Sequence, residues 1–224
     1  MVLPSPTVGQ TVLVDATKVK AGTKQRGIPV HLAITAEPGP IVAGRKTITK
    51  RLLHLHVGSV GPLRQRLKHL RPQRLVHDGG ESYEGCAENI QRCAWHMVYQ
   101  LKHYLWQDGL AFEERSYYQD CLRSILWDDE KGQENLDLFI ADMKQFDFPT
   151  TAYHLQGARD EAFTWAQNPG FAYMTTSPLE REMRELNRRA DVGTRWSPKG
   201  IENVLKLLFH KRLNRDPTEL SPAG

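Results

Sequence analysis

The sequence predicts an α/β chain, a mixed sheet flanked by helices and interrupted by an all-helical insertion. Three observations predict it. Two apolar runs, Thr11-Val12-Leu13-Val14 and Leu75-Val76-His77, each lead to an acid, Asp15 and Asp78, as strands opening into loops do. Leu63, Leu67 and Leu70 recur at helical spacing before the second run, where a crossover helix would bring that strand into the sheet parallel to another. From residue 81 to residue 170 the strand signals stop and helical periodicity takes over.

Taken in order, residues 11–20 read as a first strand and 21–27 as a basic, glycine-bounded turn. Ile28–Ala36 is a second strand, with Pro29 near its start where a missing N–H is tolerable. Glu37–Pro40 breaks it, and Ile48–Val57 alternates as a weaker third strand. The three would form an antiparallel meander. Arg71-Pro72 stops the helix that begins at Gly61. Helical patterns then cover Glu88–Trp106 as one long element, followed by Phe112–Trp127, Glu134–Phe146 and Ala158–Gln167. Asn168-Pro169-Gly170 closes the insertion, and Phe171–Met174 reads as a short strand or an extended entry to the next helix. Ser177-Pro178-Leu179-Glu180 opens a helix with an apolar stripe of Leu179, Met183, Leu186 and Ala190. A last helix is expected over Pro198–Leu213. The domain reading is therefore residues 1–80 as the first part of a core, 81–170 as the insertion, 171–215 as the rest of the core, and 216–224 as a tail.

Length and composition exclude several classes. A chain of 224 residues holds one sizeable core, or one core with a large insertion. With 40% hydrophobic and 25% charged residues the composition is that of a globular protein. No run of 18 apolar residues exists to span a membrane, and the first residues lack the pattern of a signal peptide. Three cysteines are an odd, sparse set that points to reduced thiols in an intracellular protein. The net charge of +4 hides a strong partition. Residues 1–80 carry thirteen Lys/Arg against three acids, residues 81–170 seven against sixteen, and residues 171–224 ten against seven. Asp15 and Asp78 are two of the only three acids in the first eighty residues. Basic flanks of this kind suit a polyanion.

Two strand-borne aspartates and a helix-borne glutamate, Asp15, Asp78 and Glu180, are the donor set that a pair of Mg²⁺ or Mn²⁺ ions needs for phosphoryl transfer. Hard cations take carboxylate oxygens and leave positions for water and phosphate, the two ions sitting about 4 Å apart. Beside Glu180 runs an arginine-rich stretch, Arg181, Arg184, Arg188, Arg189 and Arg195, suited to phosphate contact, as are Lys18 and Lys20 on the first strand. Cys93 and His96 share one helical face. They read either as half of a zinc site completed by His210 or Cys121, or as a packed contact inside the insertion, and the second reading is the better one. His54, His56, His69 and His77 read as packing or basic residues rather than catalytic bases, because metal-bound water needs no protein base. Trp95, Trp106, Trp127 and Trp165 read as core, with stacking on an unpaired base as the alternative for one of them.

Together these strings resemble a known family. Asp15 after its apolar run, His77-Asp78-Gly79, Arg92-Cys93-Ala94-Trp95-His96, and Thr175-Thr176-Ser177-Pro178-Leu179-Glu180 with its arginine-rich continuation resemble the catalytic region of Mutator-like DDE transposases, from about Thr11 to Asn214. The resemblance implies an RNase H-like fold whose helical insertion carries the Cys-x-x-His signature, Cys93 and His96. It implies Asp15, Asp78 and Glu180 as ligands of two Mg²⁺ or Mn²⁺ ions. The partners it implies are DNA, both transposon ends and target, with assembly as a homodimer or larger. Members of the family carry a DNA-binding region ahead of the first catalytic aspartate, whereas fourteen residues precede Asp15 here. That region is expected on a separate chain, or the chain is a truncated or repurposed copy. Two other activities fit the same residues: a fragment that binds DNA without catalysis, and an RNase H-like nuclease.

Overall fold

A computed structural model describes residues 11–19, 27–42, 44–190 and 196–214. They form an α/β fold around a five-stranded mixed sheet of order β3-β2-β1-β4-β5. The strands are β1 (Thr11–Val19), β2 (Ile28–Val42), β3 (Arg45–Val57), β4 (Arg74–His77) and β5 (Asn89–Arg92). The helices are α1 (Gly61–Leu70), α2 (Ala94–Gln107), α3 (Phe112–Leu126), α4 (Gly132–Gln145), α5 (Pro149–Ala162), α6 (Thr164–Gln167), α7 (Ser177–Ala190) and α8 (Pro198–Leu213). The described residues divide into two compact units, one within 1–75, 83–88 and 178–224, the other within 76–82 and 89–177. The division falls inside β4.

In the first unit, β1, β2 and β3 make the expected antiparallel meander, but β2 runs through the expected break at Glu37–Pro40 as far as Val42, with Glu37 paired to Thr49 and Pro38 to Ile48, and β3 begins at Arg45 rather than Ile48. Val12, Leu13 and Val14 are all fully buried. Consecutive burial, rather than alternation, means that β1 is covered on both faces, as an inner strand must be. Asp15 lies in the middle of β1 opposite Leu32, not at a strand tip as expected. The strand runs on because Ala16, Thr17 and Val19 keep pairing with β2 after the acid. β3 is an edge strand of the sheet, and α8 with its C-cap residue takes up two of its donors. The Leu52 N–H donates to Asn214 Oδ1 at 2.9 Å and the Val57 N–H to Glu202 Oε2 at 3.1 Å. Helix α1 runs as predicted and stops at Arg71, which adopts a left-handed conformation while its N–H bonds Leu67 O at 2.8 Å.

The second unit is helical except for β5 and the end of β4. Glu88–Trp106 is therefore not one helix: Asn89–Arg92 is a strand, and α2 starts after Cys93. Four residues with a single β-branched member carry no strand signal of their own. Tertiary hydrogen bonds hold them instead. Buried Gln91 donates to Ala162 O at 2.9 Å and accepts from the Trp165 N–H at 2.9 Å, and Thr164 donates to Ile90 O at 2.7 Å. The helix expected over Ala158–Gln167 is two pieces, α5 and α6, separated at Phe163. Phe171–Met174 enters α7 without forming a strand, and Met174 O accepts the Ala94 N–H at 3.2 Å. The core of this unit is aliphatic, with Met97, Val98, Leu101 and Leu105 of α2 packed against Leu122, Leu136 and Leu155. Each fully buried leucine contributes about 1.5–3 kcal/mol, which is what secures α2 by that face. Trp95, Trp106 and Trp127 are absent from the core and are 41%, 57% and 46% exposed. The core reading fails for these three because the aliphatics on the opposite side of their helices fill the interior first.

Candidate functional site

In the first unit the acid of β1 and the acid of α7 lie on facing surfaces. Asp15 is 7% exposed, and its Oδ1 accepts the Ala16 N–H at 2.8 Å. Thr17 projects from the same side of the strand two residues on, and its hydroxyl donates to Asn187 Oδ1 at 3.1 Å. Asn187 and Glu180 are seven residues apart on α7, so they share one flank, about 10 Å apart along the axis. The strand face with Asp15 thus meets the helix flank with Glu180. Glu180 is half-buried, and among the described residues its carboxylate pairs with no cation. Leu179, Met183, Leu186 and Ala190 bury the neighbouring stripe and set that orientation.

The opposite flank of α7 is a cationic cleft. Glu182, 3% exposed, is held by Lys50 Nζ of β3 at 3.0 Å and Arg212 Nε of α8 at 2.7 Å. Burial works against its ionisation, but the hydrogen bonds from Arg212 and Lys50 outweigh it and keep its pKa below the ordinary glutamate value. Around this anchor Lys50, Arg181, Arg189, Lys211 and Arg212 line one cleft, and Arg181, Arg184 and Arg188 an adjoining one. Glu185 takes up Arg188 at 3.1 Å and Arg189 at 2.9 Å. Arg181 and Arg184 have no carboxylate partner among the described residues. Of the predicted phosphate contacts, four arginines therefore gather here. Lys18 is exposed on β1, and Lys20 and Arg195 lie outside the described residues. Lys50 and Arg212 escaped the sequence reading, since nothing local links a strand lysine to the last turn of a distant helix.

In the second unit Asp78 follows β4 directly and turns back on its own loop, Oδ1 accepting the Gly80 N–H at 3.0 Å. The loop is tied down by Arg92, which donates to Gly79 O at 3.0 Å and to Glu161 Oε2 at 3.0 Å. Gly79 has φ +91°, and a Cβ there would lie 2.2 Å from Arg92 Nη1. Only glycine permits this contact. His77 is sealed at 0% exposure with Nε2 3.0 Å from the same Glu161 oxygen. Burial opposes the charge on Glu161, yet His77 and Arg92 hold its pKa below the ordinary value.

Cys93 and His96 converge on one residue, Thr176. Cys93 Sγ accepts the Thr176 N–H at 3.3 Å and its hydroxyl at 3.4 Å, while His96 Nδ1 lies 3.2 Å from the same hydroxyl. The Cys93 N–H donates to His77 O at 2.8 Å. Burial pushes the Cys93 thiol up, against the smaller opposing effect of its hydrogen bonds.

Among the described residues no group of three or more His, Cys, Asp or Glu side chains is gathered so as to hold a metal ion. The chemistry of Asp15, Asp78 and Glu180, all carboxylates, still suits Mg²⁺ or Mn²⁺, with Asp15 and Glu180 on facing elements of one unit and Asp78 in the other. His54 is held neutral, its pKa lowered to about 4 by burial and then by His56, Lys206 and Arg66. No helix among the described residues is long and apolar enough to cross a membrane. No protein-family model matches the chain, and a search of curated proteins finds no match to it.

Proposed function

We propose that the chain is the catalytic core of a cut-and-paste DNA transposase of the Mutator-like DDE kind, built on an RNase H-like fold. The observation that carries this reading is the Thr17–Asn187 hydrogen bond, which sets the Asp15 face of β1 against the Glu180 flank of α7. A five-stranded mixed sheet with a set of helices ahead of the helix bearing the last acid is compatible with that fold. In this reading Asp15, Asp78 and Glu180 hold the Mg²⁺ or Mn²⁺ ions. When bound, such ions activate the attacking oxygen and stabilise the leaving one. Arg181 and Arg184 hold the phosphates of the DNA backbone in the cationic cleft of α7. The reaction is hydrolysis of a phosphodiester at a transposon end, followed by attack of the freed 3′-hydroxyl on target DNA. The active unit is a homodimer or larger on paired ends. Terminal-repeat recognition falls to a DNA-binding region on this or another chain.

The test is Asp15→Asn and Asp78→Asn in the full chain. Both should abolish Mn²⁺-dependent nicking and joining of end DNA while the melting curve stays cooperative. Joining activity that survives in either variant removes that acid from the mechanism. A second reading, a DNA-binding module without catalysis, is favoured by one observation: the cationic cleft on α7 is complete without the acids. Calorimetric titration with Mn²⁺ separates the two, since a binding module gives no heat and cuts nothing. Strand transfer from a pre-cut 3′ end separates a transposase from an RNase H-like nuclease, which cuts without joining.

A further inference from the structure

The exposed side of α2 has no role in the reading above. Trp95, Tyr99, Lys102, His103 and Trp106 recur every three or four residues and form one stripe. Trp95, Tyr99 and Trp106 are 41%, 49% and 57% exposed. Their rings are already ordered against one another. The Trp95 and Tyr99 planes lie 8° apart at 5.0 Å, Lys102 Nζ sits 4.0 Å over the Tyr99 ring, and His103 stacks on Trp106 at 5.6 Å and 28°. Large aromatic surface left in water marks a contact site more often than a neutral face.

We propose that this stripe is a stacking platform for the unpaired bases of a single-stranded nucleic acid. Two features choose that occupant. Every aliphatic residue of α2 past Ala94, namely Met97, Val98, Leu101 and Leu105, is buried in the core. The exposed side therefore offers flat π faces and hydrogen-bonding groups, the surface on which unpaired bases stack. The second feature is charge. Residues 81–170 hold sixteen acids against seven Lys/Arg, yet α2 has no carboxylate in fourteen residues and places Lys102 and His103 between the rings. A cationic, acid-free strip in an acidic segment complements a phosphate backbone, and aromatic faces accept any base. The stripe from Trp95 to Trp106 is about 16 Å long, room for a short run of bases. The choice of nucleic acid rests on the proposed DNA-processing role, and the platform would serve the strand exposed next to a cut.

The experiment is anisotropy of the full chain with a fluorescein-labelled oligothymidine of about twenty nucleotides, and with a duplex of the same length. W95A/Y99A and W106A should each weaken single-strand binding about tenfold and leave duplex binding unchanged, while W95F/Y99F stays within about threefold. Circular dichroism melts confirm that these surface variants fold. Unchanged single-strand affinity in W95A/Y99A overturns the platform. So does an equal loss on duplex, or a shift from dimer to monomer in sedimentation, which would make the stripe a seat for a second copy. Asp15→Asn should cut nothing and still bind the single strand. Cleavage that persists in Asp15→Asn, with W95A/Y99A weakened on single strands, leaves the platform standing and removes the catalytic reading; the converse pattern does the reverse.

Discussion

Cys93 Sγ accepts two hydrogen bonds from Thr176, one from its N–H and one from its hydroxyl, and both residues are at most 1% exposed. The Cys-x-x-His pair thus clamps Thr176, the residue that precedes α7. Cys93→Ala leaves a buried N–H and hydroxyl short of an acceptor, at a cost of about 1–3 kcal/mol. The melting temperature should fall by roughly 2–10 °C. Cys93→Ser keeps an acceptor and should fall less. A chelator should leave the melting temperature of the unaltered chain where it was, and a chelator-induced drop would restore the zinc reading.

Much of the sheet could be read from the sequence because its elements carry local signals. The strands of the meander follow from β-branched runs, and α1 and α8 from apolar spacing, whereas Glu37-Pro38-Gly39-Pro40 misled, because pairing with β3 carries β2 through it. β5 could not be read, because its stability lies in Gln91 and Thr164 bonding across the helical unit, and no local propensity records that. The same limit applies to the site. Asp15, Asp78 and Glu180 stand out by sequence context, whereas Glu161, which receives both His77 and Arg92, is one acid among sixteen in its segment. The tryptophans misled for a different reason. Helical spacing says that a residue is on a stripe, but only packing decides which stripe is buried.

Glu182 joins three elements of the first unit through Lys50 and Arg212. Glu182→Gln keeps the shape and removes the charge, leaving two cations facing a neutral amide. The expected cost is about 2 kcal/mol, below that of a fully buried pair because Arg212 is partly exposed. The folded pKa of Glu182 lies below its unfolded value. Its contribution is therefore complete above the ordinary glutamate pKa and is lost as pH falls through the folded one. Chemical denaturation should show an acid limb below about pH 4.5, and that limb should flatten in Glu182→Gln. An unaltered limb would assign the acid sensitivity elsewhere.

A second limb should begin at higher pH. His154 stacks on Tyr104 at 3.8 Å, and burial, then Arg92, lowers its pKa to about 4. Between about pH 6.5 and 4 the unfolded chain takes up a proton that the folded one refuses, so stability is full above 6.5 and declines as pH falls through that range. His154→Phe keeps a ring on Tyr104 and cannot titrate. Its stability should be flatter than that of the unaltered chain between pH 6.5 and 4.5, with little change at pH 8. A parallel decline in both proteins would show that His154 titrates alike in the folded and unfolded states.

Arg181 and Arg184 differ from the other arginines of α7. Arg188 and Arg189 are engaged by Glu185 and Arg212 by Glu182, so each must give up an ion pair to reach a phosphate. Arg181 and Arg184 have no carboxylate partner among the described residues and line the cleft beside them. They should make the stronger backbone contacts. Each phosphate contact contributes about 0.9 to the slope of log affinity against log salt on duplex DNA. R181A/R184A should reduce that slope by about two and weaken binding at low salt across unrelated sequences alike. Arg189→Ala should change the slope by less than one, because Glu185 already neutralises part of its charge. If Arg189→Ala lowers the slope as much as R181A/R184A does, the ion pairs of Glu185 open on binding and the ranking of the arginines is wrong.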